Sequence, residues 1–342
     1  MLVKSFAKIN LSIDVGPRGD NGYHRVDMVM QQLSYHDDVT VEYVPSEPDC
    51  SGSLGTASGN GGSFDIEVST NRYYLPVDRR NLAYQAAELM IDLAREKAAV
   101  DPGDEVTSDG PVAPGKTIEP GKVSIKIQKR IPVAGGLAGG SGNGAAVLHA
   151  LNVIWDLGLS LKELMDLGAK LGSDVPFCVM GQARANRDLP EYIRKDAMSA
   201  SCARATGRGT ELVPVTPFDS WMVISKPRFS VSTKEVYDGI DARGVTERPD
   251  NDRLVRHLNE KLAPGPELYQ DFINVLEGYT LDQYPEVAKL KEKMLEAGAE
   301  FSLMSGSGPT VFGVFRTMSA ARDAAETLRA AGLEAYWTRT TR

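Results

Sequence analysis

Cysteine is scarce in this chain. Three residues of 342, Cys50, Cys178 and Cys202, are an odd number with no C-x-x-C spacing, which excludes a disulfide framework and a zinc knuckle and fits a reducing compartment. Long apolar runs are missing too. The start Met-Leu-Val-Lys-Ser-Phe-Ala-Lys-Ile-Asn has no signal-peptide core and nothing later is long enough to span a bilayer, so the expectation is a cytoplasmic protein with no membrane partner. Basic tracts are absent: 38 Lys and Arg stand against 46 Asp and Glu, for a net charge of -8 and a pI near 5.2. That balance argues against a nucleic-acid partner or an anionic lipid surface. No Gly-x-x-x-x-Gly-Lys-[Ser/Thr] occurs in the glycine-rich stretch, so this is not a Walker A loop and any phosphate-binding lysine must come from elsewhere. What remains, 42% hydrophobic and 25% charged residues, is the composition of a globular protein of one or two domains with a large core.

The densest signal lies at Ile131-Pro-Val-Ala-Gly-Gly-Leu-Ala-Gly-Gly-Ser-Gly-Asn-Gly-Ala-Ala, where six glycines between Gly135 and Gly144 run into an alanine-rich helical pattern. Glycine gives up packing and chain entropy, so such a cluster implies backbone at positive φ or in close approach to a ligand. A helix start supplies the ligand, because its first N–H groups lack intrahelical partners and, with the helix dipole, bind anions. A glycine-rich turn that merely packs a helix on a sheet is the plainer alternative. Residues 140–145 also fit Gly-x-Gly-x-x-Ala with Glu163 downstream, a weak match to the dinucleotide fingerprint, since Glu163 falls in a helical pattern and Pro132 interrupts the approach.

Along the chain, residues 2–15 read as strand, with Lys8 and Asn10 inside it. Such a lysine is either a solvated edge charge or an inward functional group. Residues 16–22 form a turn that delivers Tyr23-His24, a flat-ring contact or simply packing, and 26–33 and 38–44 look like a strand pair. Residues 46–63 and 99–121 have loop composition. Between them come a short strand at 66–69 and a helix capped by Asn81; 123–128 is a strand. Ser160 to Glu163 has the form of a capping box opening a helix that ends near Gly172. Asp174 then precedes an apolar run, as a turn or cap residue or as something more. Residues 182–205 are polar and look inserted. Strands are expected at 221–225 and 334–338, helices at 233–240, 251–262, 319–331 and around 274–277, and a strand–turn–strand at 301–315 around Ser305-Gly-Ser-Gly-Pro.

Three signatures together resemble the GHMP kinases: Ala7-Lys8-Ile9-Asn10-Leu11, Pro132 to Ala146, and Met304-Ser-Gly-Ser-Gly-Pro-Thr310. Within that family, Gly22-Tyr23-His24, Lys129-Arg130-Ile131-Pro132, Leu171 to Phe177, and Ser232-Thr233 with Tyr237 are most similar to the members that phosphorylate a cytidine-diphosphate ester of methylerythritol in non-mevalonate isoprenoid synthesis. The resemblance implies an α+β, two-domain GHMP kinase fold, with residues 1–181 resembling domain 2 of ribosomal protein S5 and residues 182–342 ferredoxin-like. It implies ATP held by Asn81, Lys129, Pro132, Val133, Ala134, Gly135, Gly136, Leu137, Ala138, Gly139, Gly140, Ser141, Gly142 and Asn143. Lys8 and Asp174 become the catalytic pair. Asn10, Tyr23, His24, Asp174, Thr233, Tyr237 and Thr310 become the substrate residues, with the pyrimidine between Tyr23 and Tyr237 and its edge on His24. Mg²⁺ would bridge the phosphates with Ser141 as its protein contact and no dedicated metal site, in a monomer or homodimer. The departures are Ala138 for a glycine, Gly142 for a serine, Tyr237 for a phenylalanine, and the long segment 182–205. A sibling kinase for homoserine, mevalonate or a sugar would not need Tyr23, His24 and Tyr237; a non-catalytic ligand sensor would be expected to lose Lys8 or Asp174.

Overall fold

The computed structural model describes residues 1–19, 22–46, 63–99 and 117–342. Two long strands open the chain, β1 (Leu2–Arg18) and β2 (His24–Pro45), paired antiparallel from Leu2↔Thr40 to Arg18↔His24. The expected strand pair at 26–33 and 38–44 is therefore one continuous strand. Register shifts between Phe6 and Lys8 and between Asn10 and Ser12 bend β1 along with β2, as extra residues in a ladder do.

The strands β3 (Asp65–Thr70), β4 (Gly121–Gln128), β5 (Cys202–Thr206) and β6 (Glu211–Pro214) complete a six-stranded sheet in the order β3-β4-β2-β5-β6, with β1 also on β2. In β4, Val123, Ile125 and Ile127 are buried between more exposed neighbours, the period of two that a half-covered sheet requires. Helix α1 (Leu82–Ala99) starts where the Asn81 carboxamide oxygen accepts from the Ala83 N–H at 3.0 Å. Helices α2 (Gly139–Ile154), α3 (Leu161–Leu171) and α4 (Val175–Ala185) follow, and α2 is buried continuously from Gly142 to Asn152. The Ser160–Glu163 capping box is formed, the Ser160 N–H donating to Glu163 Oε2 at 2.7 Å. Glu163 thus closes a helix end, which removes the acidic partner a dinucleotide fingerprint needs. The loop compositions at 46–63 and 99–121 fall largely on residues outside those described.

Residues 182–205 are not an appendage. They hold the end of α4, the short α5 (Glu191–Arg194) and most of β5, whose Cys202–Ala205 pair with Gln31–Met28 of β2. The division expected at 181/182 cuts through α4, and the first sheet keeps the chain as far as Pro214. The signal that misled is charge: buried Leu189, Ile193, Cys202 and Ala203 are spaced among arginines that stay outside.

The second sheet has strands β7 (Trp221–Lys226), β8 (Phe301–Met304), β9 (Val311–Phe315) and β10 (Glu334–Arg339), all antiparallel in the order β10-β7-β9-β8. It carries α6 (Thr233–Arg243), α7 (Asn251–Asn259), α8 (Pro266–Tyr269), α9 (Glu277–Gln283), α10 (Pro285–Glu296) and α11 (Met318–Ala330). Asn274, expected in a helix, instead bridges to Ile13, and α9 begins three residues later. The two sheets share a core. Ala7, Ile9 and Leu11 of β1 pack in one apolar cluster with Met222, Ile224 and Phe312, each of the side chains larger than alanine contributing roughly 1.5–3 kcal/mol when fully buried. The alternate residues Lys8, Asn10 and Ser12 are buried as well, so β1 is covered on both faces.

Candidate active site

The stretch from Ile131 to Ala138 carries β4 into α2, and from Ala134 onward its backbone is left-handed at every second residue: Ala134 (φ 52), Gly136 (φ 74) and Ala138 (φ 53). Such alternation turns successive N–H groups toward one concavity, the geometry of a backbone anion nest. Helix α2 adds to it, having no side-chain cap, with the Gly142 N–H to Ala138 carbonyl bond at 2.8 Å opening the ladder. A cavity of about 390 Å³ lies in front, lined by Pro132 to Ser141, by Asn143, by Asn81, Arg80 and Lys129, and by Asp174. Glycine is required where the second sheet presses on the loop. A Cβ on Gly135 would meet Thr310 Oγ1 at 2.5 Å, and one on Gly136 would collide with the Ser305 carbonyl. Gly142 alone of residues 132–143 does not line the cavity. Its Cα faces β1, where a Cβ would meet Ser5 Oγ at 2.5 Å, so a serine hydroxyl at this position would not reach the cavity.

Lys129 lies under the loop. Its ammonium donates to Asp37 Oδ2 at 2.5 Å and Asn143 Oδ1 at 3.0 Å, and Asp37 is fully buried. The same carboxylate accepts from the N–H groups of Arg130 (2.6 Å) and Ile131 (2.8 Å) and from Asn143 Nδ2 (3.0 Å). Burial pushes the Lys129 ammonium below the ordinary lysine range, with Asp37 opposing the shift. Asn81 is committed to the start of α1, its amide donating to the Pro76 carbonyl at 2.8 Å while it remains on the cavity wall.

Lys8 is buried and not a solvated edge charge. Its ammonium is 3.7 Å from Asp174 Oδ2 and donates to Asn10 Oδ1 at 2.7 Å. Its backbone N–H donates to the Leu137 carbonyl at 3.1 Å, which straps β1 to the glycine loop. Asp174 sits at the start of α4, yet its carboxylate makes no capping bond; it faces the cavity, and a cap alone does not explain it.

A second cavity of about 710 Å³ begins at the neighbouring Ser173 and is lined by Tyr23, His24, Thr233 and Tyr237 together with Arg18, Lys234 and Arg208. The His24 and Tyr237 rings are 5.1 Å apart, inclined at 52°, and His24 Nε2 is 2.8 Å from Asp241 Oδ1. The Tyr237 hydroxyl is pushed up to about 12, first by burial and then by the charge of Asp174, so ring and carboxylate share one environment. Tyr23 is 56% exposed, and the Arg208 guanidinium sits 4.1 Å from its ring centroid. Thr233 reaches the Ser-Gly-Ser-Gly turn through Ser307 at 2.9 Å. Asn10 and Thr310 line neither cavity. Asn10 positions Lys8, and Thr310 is fully buried beside Gly135, its hydroxyl without a hydrogen-bond partner among the described residues. Among the described residues no cluster of three or more His, Cys, Asp or Glu could hold a metal. Sequence reasoning missed Asp37, Asp241 and Arg208; the only hint was that Asp37 and Asp38 interrupt an apolar strand pattern.

Comparison with known proteins adds lineage. Residues 81–182 match the model of the GHMP kinases N terminal domain, and residues 248–333 that of the GHMP kinases C terminal domain. A protein of Alkaliphilus metalliredigens named 4-diphosphocytidyl-2-C-methyl-D-erythritol kinase is 39% identical over 330 residues, covering 95% of this chain and 91% of its own. One of the same name from Geobacillus kaustophilus is 39% identical over 320 residues, covering 91% and 87%. A crystal structure of 4-(cytidine 5'-diphospho)-2C-methyl-D-erythritol kinase superposes over 100% of both chains with a TM-score of 0.71 at 27% identity.

Proposed function

This chain belongs to the 4-diphosphocytidyl-2-C-methyl-D-erythritol kinases, a family of GHMP kinases, and from that premise we propose that it transfers the γ-phosphoryl group of ATP to the 2-hydroxyl of 4-(cytidine 5'-diphospho)-2-C-methyl-D-erythritol, giving the 2-phosphate and ADP. The observation that carries the proposal is the buried Lys8 beside Asp174, at 3.7 Å, with Asp174 lining the smaller cavity and its neighbour Ser173 the larger. The ATP phosphates lie in the 390 Å³ cavity against the N–H groups of residues 135–141. The cytidyl group takes the larger cavity, its base among Tyr23, His24 and Tyr237. His24 offers Nδ1 to the base, since Nε2 is engaged by Asp241 at 2.8 Å.

Phosphoryl transfer needs alignment and charge neutralisation more than covalent participation by the protein. Asp174 accepts the proton of the 2-hydroxyl as the oxygen attacks the γ-phosphorus and the bond to the β,γ-bridging oxygen breaks. Lys8, held by Asn10, faces both the carboxylate and the charge developing on the γ-phosphate. Mg²⁺, a hard cation that usually keeps substrate phosphates and few protein oxygens as ligands, fits a wall offering the Ser141 hydroxyl and the Asp174 carboxylate, and when bound it neutralises the phosphates. The fold also supports drawing the domain boundary after Pro214.

Coupled ADP release with the cytidyl diphosphate substrate, mevalonate and homoserine offered side by side tests the proposal. Turnover confined to the cytidyl ester, with competition by free CDP, is expected. Turnover of mevalonate or homoserine at equal efficiency would point to a sibling kinase instead.

A further inference from the structure

Arg208 sits between the two glycines of the β5–β6 turn, Thr206-Gly207-Arg208-Gly209, both left-handed (φ 67 and φ 91). The turn is fixed in place. The Gly209 N–H donates to the Thr206 carbonyl at 2.9 Å, the Val26 N–H donates to the Gly207 carbonyl at 2.9 Å, and a Cβ on Gly209 would lie 2.9 Å from Met28 Cε and 3.8 Å from Ser173 Cβ. The Arg208 backbone is therefore held one residue away from Asp174's neighbour, while its side chain is exposed and lies over Tyr23 at 4.1 Å from the ring centroid. Among the described residues no carboxylate forms an ion pair with it. Glu211, the acid of its own turn, is bonded by Thr206 Oγ1 at 3.0 Å, and Arg18, on the same cavity wall, already faces Asp238 at 3.7 Å.

A guanidinium over an aromatic face covers the surface on which a pyrimidine would stack. It is also planar, weakly hydrated and always charged, and its fork of donors matches phosphate oxygens. A stacked guanidinium at a partly exposed ring gives up a modest attraction when it leaves; bonds to a diphosphate are stronger. The exchange is favourable only when the arriving ligand brings both base and phosphates. Resting on the reading of this cavity as the cytidyl site, we propose that Arg208 covers the Tyr23 face in the empty enzyme, is displaced by the cytosine ring, and then closes on the diphosphate of the substrate. It would act as a specificity-determining residue that selects a cytidine diphosphate ester over the bare nucleoside.

The test uses full-length enzyme and the variants Arg208→Ala, Arg208→Gln and Arg208→Lys, with cytidine and CDP as inhibitors competing against the cytidyl substrate. In Arg208→Ala, CDP inhibition should weaken about 10-fold or more while cytidine binds as well as in the wild type or better, so the preference for the diphosphate collapses. Arg208→Gln should follow it, and Arg208→Lys should keep part of the preference, having charge without the fork. The KM for ATP and the Tm should not move. An unchanged CDP-to-cytidine ratio in both neutral variants, or an equal rise in the KM for ATP, would overturn the proposal. If neither compound competes in the wild type, the cytidyl reading fails first and takes this one with it.

Discussion

The substitution Asp37→Asn tests the most concentrated piece of chemistry beneath the glycine loop. Asp37 is fully buried and accepts four bonds, two at Oδ1 from backbone N–H groups (2.6 and 2.8 Å) and two at Oδ2, from Lys129 (2.5 Å) and Asn143 (3.0 Å). Asparagine can keep the first two through its carbonyl oxygen, but its amide nitrogen then sets donors against donors, and Lys129 loses its counter-charge in a buried place. Removing one member of a buried ion pair costs ~3–5 kcal/mol. At ~2.1 cal/mol/K of unfolding entropy per residue, that lowers the Tm of a chain this long by about 4–7 °C. The loss also has a pH signature. Burial already holds the Lys129 ammonium below the usual lysine range, and Asp37 is the first cause opposing that shift. Without Asp37 the folded state sheds the lysine proton at still lower pH than the unfolded chain does. Stability of the variant must then rise with pH from the folded value up to the unfolded lysine value near ~10.4, narrowing the gap to the wild type. Thermal unfolding from pH 6 to pH 10 reads this directly, and Asp37→Asn with Lys129→Met should regain most of the loss by removing the orphaned charge. A variant within about 1 °C of the wild-type Tm at pH 7, less than a single kcal/mol at this size, would refute the reasoning. So would a double variant no more stable than the single one.

Asp174→Asn should cut ADP release ~10²–10⁴-fold, the usual worth of a positioned base, and should also lower Tm, since the carboxylate caps nothing but is the counter-charge of buried Lys8 at 3.7 Å; wild-type turnover would remove the base assignment. Gly135→Ala pushes a methyl group at Thr310 Oγ1 (2.5 Å) and Lys226 Cδ (3.2 Å) and should raise the KM for ATP at least ~10-fold by displacing the phosphate loop, with Thr310→Ala restoring part of it; an unchanged KM would show that the contact is slack. Ala138→Gly should stabilise by ~0.5 kcal/mol in urea unfolding, since relief of left-handed strain of ~1–2 kcal/mol outweighs ~0.4–1 kcal/mol of added chain freedom, and a loss of stability would contradict the φ of 53.

The parts of the molecule that were legible in the sequence are those whose cause is local. Glycines that must turn left-handed, a helix that needs an N-cap at Asn81, and Ser160 three residues before Glu163 all carry their reason within a few positions. What the sequence did not disclose depends on distant partners. β2 reads as two strands because Ser34, His36, Asp37 and Asp38 break its apolar pattern, and only pairing with β1 shows the run to be continuous. Residues 182–205 read as an insertion because nothing local says that Cys202 to Ala205 returns to Met28–Gln31. Asp37 could be found only by bringing residues 37, 129 and 143 together. Helix phase, which the sequence does not display, sets Gly142 apart: Ser141 and Asn143 line the cavity, but the residue between them faces β1.

A loop that holds an anion must also keep its carbonyl oxygens turned away. A backbone bend presents carbonyl oxygens as readily as N–H groups, and an oxygen facing the cavity would repel a phosphate as strongly as an N–H attracts it. Here three consecutive carbonyls are withdrawn. That of Gly136 accepts from Ser305 Oγ at 3.1 Å, that of Leu137 from the Lys8 N–H at 3.1 Å, and that of Ala138 from the Gly142 N–H at 2.8 Å. The donors come from the turn after β8, from β1 and from α2, so the polarity of the loop is set by two elements distant in the chain together with its own helix, and not by the glycines alone. The same strand that places Lys8 beside Asp174 thereby turns an oxygen away from the cavity, and the Ser-Gly-Ser-Gly turn does so as well. The three signatures of the sequence are thus one device, in which two of them orient the backbone of the third.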